Sequence, residues 1–257
     1  MTAAGDLCSS GDGCSRTASL VLSIEPTAVL TLGDNAYPNG SAENYANYYA
    51  PNWGKFLTIT HPSPGNHDHH VDGAAGYFGY FGALAGPAGR GYYSYDLGSW
   101  HLISLDSELS HGSGSAQEVW LRQDLAATRQ PCTLAYWHRP RFSSSAVHGS
   151  DSSFAPFWRD LYDANAEIAL GGHDHLYERF APQTASGAAD SGRGIRQFVV
   201  GTGGAPLYSF ASPLPNSQAR DNGHLGVLKL ILRPSSYEWE FIAVGGSVID
   251  SGRAACH

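Results

Sequence analysis

Ala28-Val29-Leu30-Thr31-Leu32-Gly33-Asp34-Asn35-Ala36-Tyr37 decides how the rest of the chain is read. The run 28–32 is apolar and β-favouring, the pattern of a short buried strand. Gly33 ends it and lets the backbone approach whatever lies beyond. Asp34 then stands at the C-terminal end of a strand, where open α/β sheets place their ligands. Tyr37 follows within a turn, near enough to share a site. Alone, Asp34 is equally a turn or capping residue.

The arrangement returns elsewhere. Residues 2–5 form a short first strand leading to Asp6. Leu57-Thr58-Ile59-Thr60 predicts a strand that runs into Pro62-Ser63-Pro64-Gly65-Asn66-His67-Asp68. Residues 133–137 predict a strand ending at His138, and 168–170 one ending at Gly171-Gly172-His173-Asp174-His175. Each polar group has a bland reading: Asp6 as a turn cap, Asn66-His67-Asp68 as a self-bonded turn, His138 as a satisfied core histidine. His173 and His175 lie two apart, so an extended segment points both the same way. Structural needs alone do not account for the recurrence of all five.

Between these points, residues 16–25 carry apolar groups at helical spacing, and Pro26 stops that helix. Residues 41–49 predict a helix capped by Ser41. Residues 72–91, rich in glycine and aromatics, read as a surface loop on the rim of the site. Residues 92–96 and 100–105 predict a hairpin through Gly98-Ser99. The stretches 115–128 and 152–164 read as helices. After 196 the pattern is strand: 197–200, 223–232, 237–244 and 247–249. The first two thirds alternate β and α and the last third is β, which suggests two packed sheets with helices outside.

The chain has 257 residues, 42% of them hydrophobic, enough for one large core and a single domain over 1–257. No apolar run reaches the length of a membrane span. The net charge of −8 and the presence of only two lysines, Lys55 and Lys229, argue against a nucleic-acid partner. An acidic chain acting on an anion needs local positive charge, and metal ions supply it. Twelve histidines, the commonest metal ligands, fit that need; His111, His224 and His257 lie in loops or at the end and read as solvent-facing. The four cysteines lack a CxxC pair. Their even number suits two disulfides and a secreted protein, with Cys8–Cys14 and Cys132–Cys256 preferred among three connectivities. No signal peptide is evident, so Met1 reads as a start downstream of a removed leader.

Gly5-Asp6, Gly33-Asp34-Asn35-Ala36-Tyr37, Gly65-Asn66-His67-Asp68, Ala135-Tyr136-Trp137-His138 and Gly172-His173-Asp174-His175 together resemble the calcineurin-like metallophosphoesterases, and within them the purple acid phosphatases. The resemblance implies an α/β (α+β) fold of four layers, two mixed sheets flanked by helices. It implies two metal ions bridged by Asp34. Asp6, Asp34, Tyr37 and His175 would hold Fe(III); Asp34, Asn66, His138 and His173 would hold a divalent ion, zinc, iron or manganese. Many relatives carry a metal-binding histidine where this chain has Cys8. Tyr37 in the second motif is what points to the purple acid branch. The resemblance further implies in-line attack on phosphorus by a metal-bound hydroxide. His67 and His148 would contact substrate and supply the proton the leaving group needs. Asp68 would orient His67 or a neighbouring backbone group. Arg139 and Arg141 flank His138; one facing phosphate and both serving structural salt bridges are equal alternatives. The β domain that precedes the catalytic one in plant-type enzymes has no counterpart in these residues.

Three readings follow. The first is a hydrolase of small phosphate monoesters; the second is a phosphodiesterase, or an enzyme taking both esters, on the same core. The third is a non-catalytic scaffold, which would be expected to lose ligands that this chain keeps.

Overall fold

Alternate residues of a strand face opposite ways, and here they enter different cores. Leu134 and Tyr136 join one apolar cluster, while Ala135 and Trp137 join another. The same division separates Ile168 and Leu170 from Ala169, and Phe198 and Val200 from Val199. A sheet with two buried faces follows. The computed structural model, which describes all 257 residues, contains two such mixed sheets.

The first is built from β1 (Thr2–Ala4), β2 (Val29–Leu32), β3 (Thr60–Ser63), β11 (Gly226–Arg233), β12 (Ser236–Ala243) and β13 (Val248–Ala255). Its order is β13-β12-β11-β1-β2-β3. The second comprises β4 (Tyr93–Leu97), β5 (Trp100–Ser104), β6 (Cys132–Tyr136), β7 (Ile168–Gly171), β8 (Tyr177–Phe180), β9 (Arg196–Val200) and β10 (Ser217–Asp221), in the order β10-β8-β9-β7-β6-β5-β4. In the first sheet β1, β2 and β3 are parallel. In the second, β5, β6, β7 and β9 are parallel. Helix α1 (Gly13–Ile24) packs on β11, outside the first sheet. Helices α4 (Ala116–Ala127) and α5 (Ala155–Asp163) cover the second: Leu121, Phe157, Trp158 and Leu161 pack with Ile103, Ala135 and Trp137. These are the four layers that the motifs imply. No helix is long and apolar enough to cross a membrane.

Two segments depart from expectation. The strand predicted at 57–60 begins later, at Thr60, because Trp53–Ile59 forms a 3-10 turn that buries Trp53 and Phe56, three residues apart. Pro62 thus falls inside β3, tolerated because β3 is an edge strand. Residues 72–91 are not a surface loop. They contain α3 (Ala75–Phe81) between 3-10 turns. Tyr77 and Phe81, four apart, share a buried face, and Tyr80 stacks on Tyr45, 4.9 Å between centroids. The glycines at 73, 76, 79 and 82 hid that helical pattern. Upstream, α2 (Ala42–Asn44) starts at the expected cap, with Ser41 Oγ accepting from the Asn44 amide, and widens into a π-type turn, Tyr45–Tyr49. β8 and β10 were not anticipated. Of the three histidines expected in solvent, His224 and His257 are exposed, whereas His111 is half-buried and stacked on Phe154.

Both preferred disulfides are present. Cys8–Cys14 joins the loop after β1 to α1; Cys132–Cys256 joins β6 to the C-terminus across 124 residues.

His101, on β5, lies between two acids: Nδ1 is 2.8 Å from Asp96 Oδ1 and Nε2 2.8 Å from Asp124 Oδ2. Both ring nitrogens can donate only in the imidazolium. Burial pushes its pKa down, but the two carboxylates outweigh this and hold it above the ordinary histidine value. A raised folded-state pKa gives stability that is complete below about pH 6.5 and lost as pH rises through the folded value. His101→Gln should therefore cost about 1–2 kcal/mol at acidic pH, with the deficit shrinking at alkaline pH. Thermal melts of both proteins from acid to alkali check this; a pH-independent difference refutes it.

Candidate metal centre

The parallel strands of both sheets end at one edge, and the loops leaving β1, β2, β3, β6 and β7 meet there. Those from β1 and β2 are laced by backbone bonds: Asp6, Leu7 and Cys8 amides donate to the Gly33, Asp34 and Asn35 carbonyls at 2.9–3.2 Å, and the Tyr37 amide returns to Cys8 at 2.8 Å. Asp6, Asp34 and His173 take left-handed backbone angles, with φ of 60°, 51° and 67°. Such angles are costly for residues other than glycine and cluster at functional sites. Gly65 packs so closely that a Cβ there would lie 2.3 Å from Asp34 Oδ1.

Each acid fixes one oxygen on a backbone amide and presents the other. Asp6 Oδ2 accepts from the His173 amide at 2.8 Å, and Asp34 Oδ1 from the His67 amide at 2.8 Å. Around the free oxygens the predicted residues fall into two groups. In the first, the Tyr37 hydroxyl is 3.0 Å from Asp6 Oδ1, 3.1 Å from Asp34 Oδ2 and 3.1 Å from His175 Nε2; His175 Nε2 is 3.3 Å from Asp6 Oδ1. In the second, His138 Nε2 is 3.3 Å from Asp34 Oδ2, 3.1 Å from Asn66 Oδ1 and 3.2 Å from His173 Nδ1. Asp34 Oδ2 belongs to both.

The remaining ring nitrogens set the tautomers. His138 Nδ1 donates to the Leu32 carbonyl and His175 Nδ1 to the Pro206 carbonyl, both at 2.8 Å, so in each ring Nε2 is the nitrogen turned inward, able to offer a lone pair to an ion once it gives up its proton. The charge is unbalanced. Burial raises Asp34, but His138 and His67 outweigh it and hold the carboxyl low. His138 is pushed up to about 10: burial opposes this, and the Asp34 carboxylate prevails. Burial, Asp6 and Asp34 drive the Tyr37 phenol well above its ordinary value. Buried carboxylates that hold a proton on a neighbouring imidazole have the electrostatics of a cation site. The donor atoms fit: oxygens and imidazole nitrogens, converging and fixed from behind.

Asp68 is buried away from both groups. It accepts from the Gly65 amide, the Asn35 amide and side chain, and the Tyr45 hydroxyl. Of the two partners expected for it, backbone groups are the ones it holds; the His67 ring instead meets the Pro38 carbonyl and packs at a tilt against Tyr37, 4.5 Å between centroids. His148 is exposed and stacks on His173, 4.1 Å between centroids. His69 is 2.9 Å from Asp106 Oδ2, and His70 is exposed. Tyr208, in the loop after β9, stacks on His175 at 4.0 Å. Nothing in its sequence surroundings signals that contact.

The sequence model of the family described as calcineurin-like phosphoesterase matches residues 2–177. The chain belongs to that family. Within the family the fold implies a binuclear metal centre. An uncharacterized protein of Mycobacterium tuberculosis is 28% identical over 199 residues, 61% of this chain and 38% of the relative. Probable purple acid phosphatase 20 of Arabidopsis thaliana is 26% identical over 163 residues, 54% of this chain and 38% of the relative. The structure of a purple acid phosphatase from yellow lupin (Lupinus luteus) superposes with a TM-score of 0.80 at 22% identity, covering 99% of this chain and 53% of that one. The chain thus spans from a little over a third to about half the length of these relatives.

Gly65→Ala should displace Asp34 and Asn66 together. Metal uptake, read by elemental analysis, should fall about 10-fold or more with the far-UV circular dichroism unchanged. Wild-type uptake by the variant refutes the close packing as a requirement.

Proposed function

We propose that the protein is an extracytoplasmic binuclear-metal phosphoesterase that hydrolyses phosphate monoesters. The observation that carries the reading is the shared oxygen, Asp34 Oδ2, between two converging donor groups. Asp6, Asp34, Tyr37 and His175 would hold one ion; two carboxylates and a phenol suit Fe(III). Asp34, Asn66, His138 and His173 would hold the other; an amide oxygen with two imidazoles suits zinc, iron or manganese. Bound there, the ions neutralise phosphoryl oxygens and lower the pKa of water.

The chain's own groups do the rest. His67 is held by its amide on Asp34 and its Nδ1 at the Pro38 carbonyl, which leaves Nε2 turned toward Asp34, 3.8 Å from Oδ2. That position suits contact with a phosphoryl oxygen. His148 makes no hydrogen bond within the protein and stands at the open side, where protonating a leaving alkoxide requires a mobile donor. Asp68 acts at one remove, by fixing the Gly65 and Asn35 backbones on either side of Asn66 and Asp34. The two disulfides support an oxidising compartment.

Asp34→Ala should abolish binding of both ions, whereas His138→Ala should mainly weaken the second; elemental analysis separates the two, and equal losses would remove Asp34 from the bridge. If iron occupies the first group, aerobic protein absorbs visible light through Tyr37, and the band disappears in Tyr37→Phe. A colourless, active protein refutes the iron assignment and leaves the hydrolase reading intact. His148→Ala should lower kcat on aryl phosphates about 100-fold or more with metal content unchanged. Metal-loaded protein inactive on aryl and sugar phosphates between about pH 4 and pH 9 would sink the hydrolase reading.

A further inference from the structure

We propose that Arg139 makes the cleft beside His173 selective for dianionic phosphate monoesters over diesters; the inference rests on the phosphoesterase reading above. In the sequence Arg139 and Arg141 are equivalent, one on each side of Pro140. Their contacts separate them. Arg141 Nη2 donates to the Ala185 carbonyl at 3.0 Å, and its guanidinium lies 4.3 Å from the Phe142 ring centroid. It faces a different cavity, with Gln183 and Leu214. Arg139 Nε and Nη2 donate to the two oxygens of Glu108 at 2.7 and 3.1 Å.

That fork fixes the plane of the Arg139 guanidinium. Nη1 is the end left over, 3.0 Å from His173 Nε2. It carries two hydrogens, and at least one stays free for another acceptor in either tautomer of His173: Nε2 takes one when it is the accepting nitrogen, and none when Nδ1 turns its lone pair to the donor cluster. The opposite edge of the same imidazole, Nδ1, faces His138. Arg139 is thus one ring-width from the donor cluster, on its open side.

A cleft of about 290 Å³ lies there, lined by Arg139, His148, Ser150, Asp151 and His173 among others. Arg139 is the only lysine or arginine in that lining. Asp151 is the opposing charge, but its Oδ1 is engaged by the Ser153 amide and hydroxyl at 2.9 and 2.6 Å, where it caps a turn. A substrate in the cleft meets a fixed N–H donor on one wall and the His148 ring on another.

A phosphate monoester presents three terminal oxygens and up to two charges. A diester presents two terminal oxygens and one charge, and places a second ester arm where the third oxygen would be. A fixed donor aimed at that third oxygen discriminates between them. Glu108 cancels the guanidinium's charge at a distance, so the selection comes from the directed N–H rather than from long-range attraction.

The test compares wild type, Arg139→Gln and Arg139→Lys, each with metal content measured. Kinetics with 4-nitrophenyl phosphate and bis(4-nitrophenyl) phosphate are read beside calorimetric binding of inorganic phosphate. Arg139→Gln should raise KM for the monoester about 10-fold or more and weaken inorganic phosphate by a similar factor; KM for the diester should stay within about 3-fold and metal content should not change. Arg139→Lys, which keeps the charge but loses the fork, should fall between. Equal losses on both esters, or unchanged phosphate binding, overturn the proposal. A fall in metal content that carries both activities down assigns Arg139 to holding His173 and overturns it as well. Wild type that hydrolyses neither ester when loaded sinks the phosphoesterase reading instead, and phosphate binding then decides Arg139 alone.

Discussion

The Asp34 carboxylate is the constraint on which the site depends. One oxygen is fixed by the His67 amide and the other stands between Tyr37 and His138, so the carboxylate cannot turn without breaking contacts on both sides. Its position depends on a left-handed backbone at Asp34, preceded by another at Gly33. Glycine adopts such an angle freely, but the one at Asp34 would be expensive in isolation. The surrounding structure holds them in place: a Cβ on Gly33 would lie 2.5 Å from His138 Nδ1, so strand end, turn and imidazole form one packed unit. Burial of Asp34 costs free energy as well, and the unit remains stable because opposing charge comes close to it.

Parallel pairing then places the other groups around Asp34. Three strands of one sheet and four of the other direct their C-terminal ends at the same edge, with β1, β2, β3, β6 and β7 supplying the candidate donors. Contacts between sheets keep the two halves of the donor set in register. His138, from the second sheet, donates to Leu32 of the first, and Ser63 of the first donates to the Leu105 carbonyl beyond β5 of the second. The Gly5 amide donates to Val200 across the same gap. Distant parts of the sequence thus meet within hydrogen-bonding distance without any loop having to be rigid by itself.

Which features were legible follows from this. Strand ends carrying Asp6, Asp34, His138 and His173 could be read because an apolar β run directly precedes each polar residue. The strand before Asn66 was displaced because its residues, Thr60-His61-Pro62-Ser63, lack the apolar signature, while Leu57 and Ile59 beside it have one and belong to a turn. Residues 72–91 misled for a related reason: glycines interrupt the composition without interrupting the buried Tyr77–Phe81 face. β8 and β10 pair antiparallel at the far side of the second sheet, and β10 has a mixed exposed pattern. Tyr208 reaches His175 through tertiary packing alone, so no local pattern encodes it.

Charge accounts for the chemistry of the edge. The chain is acidic overall and poor in lysine, yet on the proposed reading its site would need positive potential for an anionic ester. A surface cluster of arginines would supply it diffusely. This fold instead buries carboxylates at the edge: the Asp34 carboxylate raises His138, and burial together with Asp6 and Asp34 raises Tyr37, the electrostatics expected of a cation site. On the proposed reading, phosphate affinity would depend on the ions, and the cationic side chain left beside His173 would be the one guanidinium that Glu108 holds. In such a division of labour the ions would provide the charge and the protein the direction, and discrimination among phosphate esters would rest on the part of the site that is covalently the protein's own.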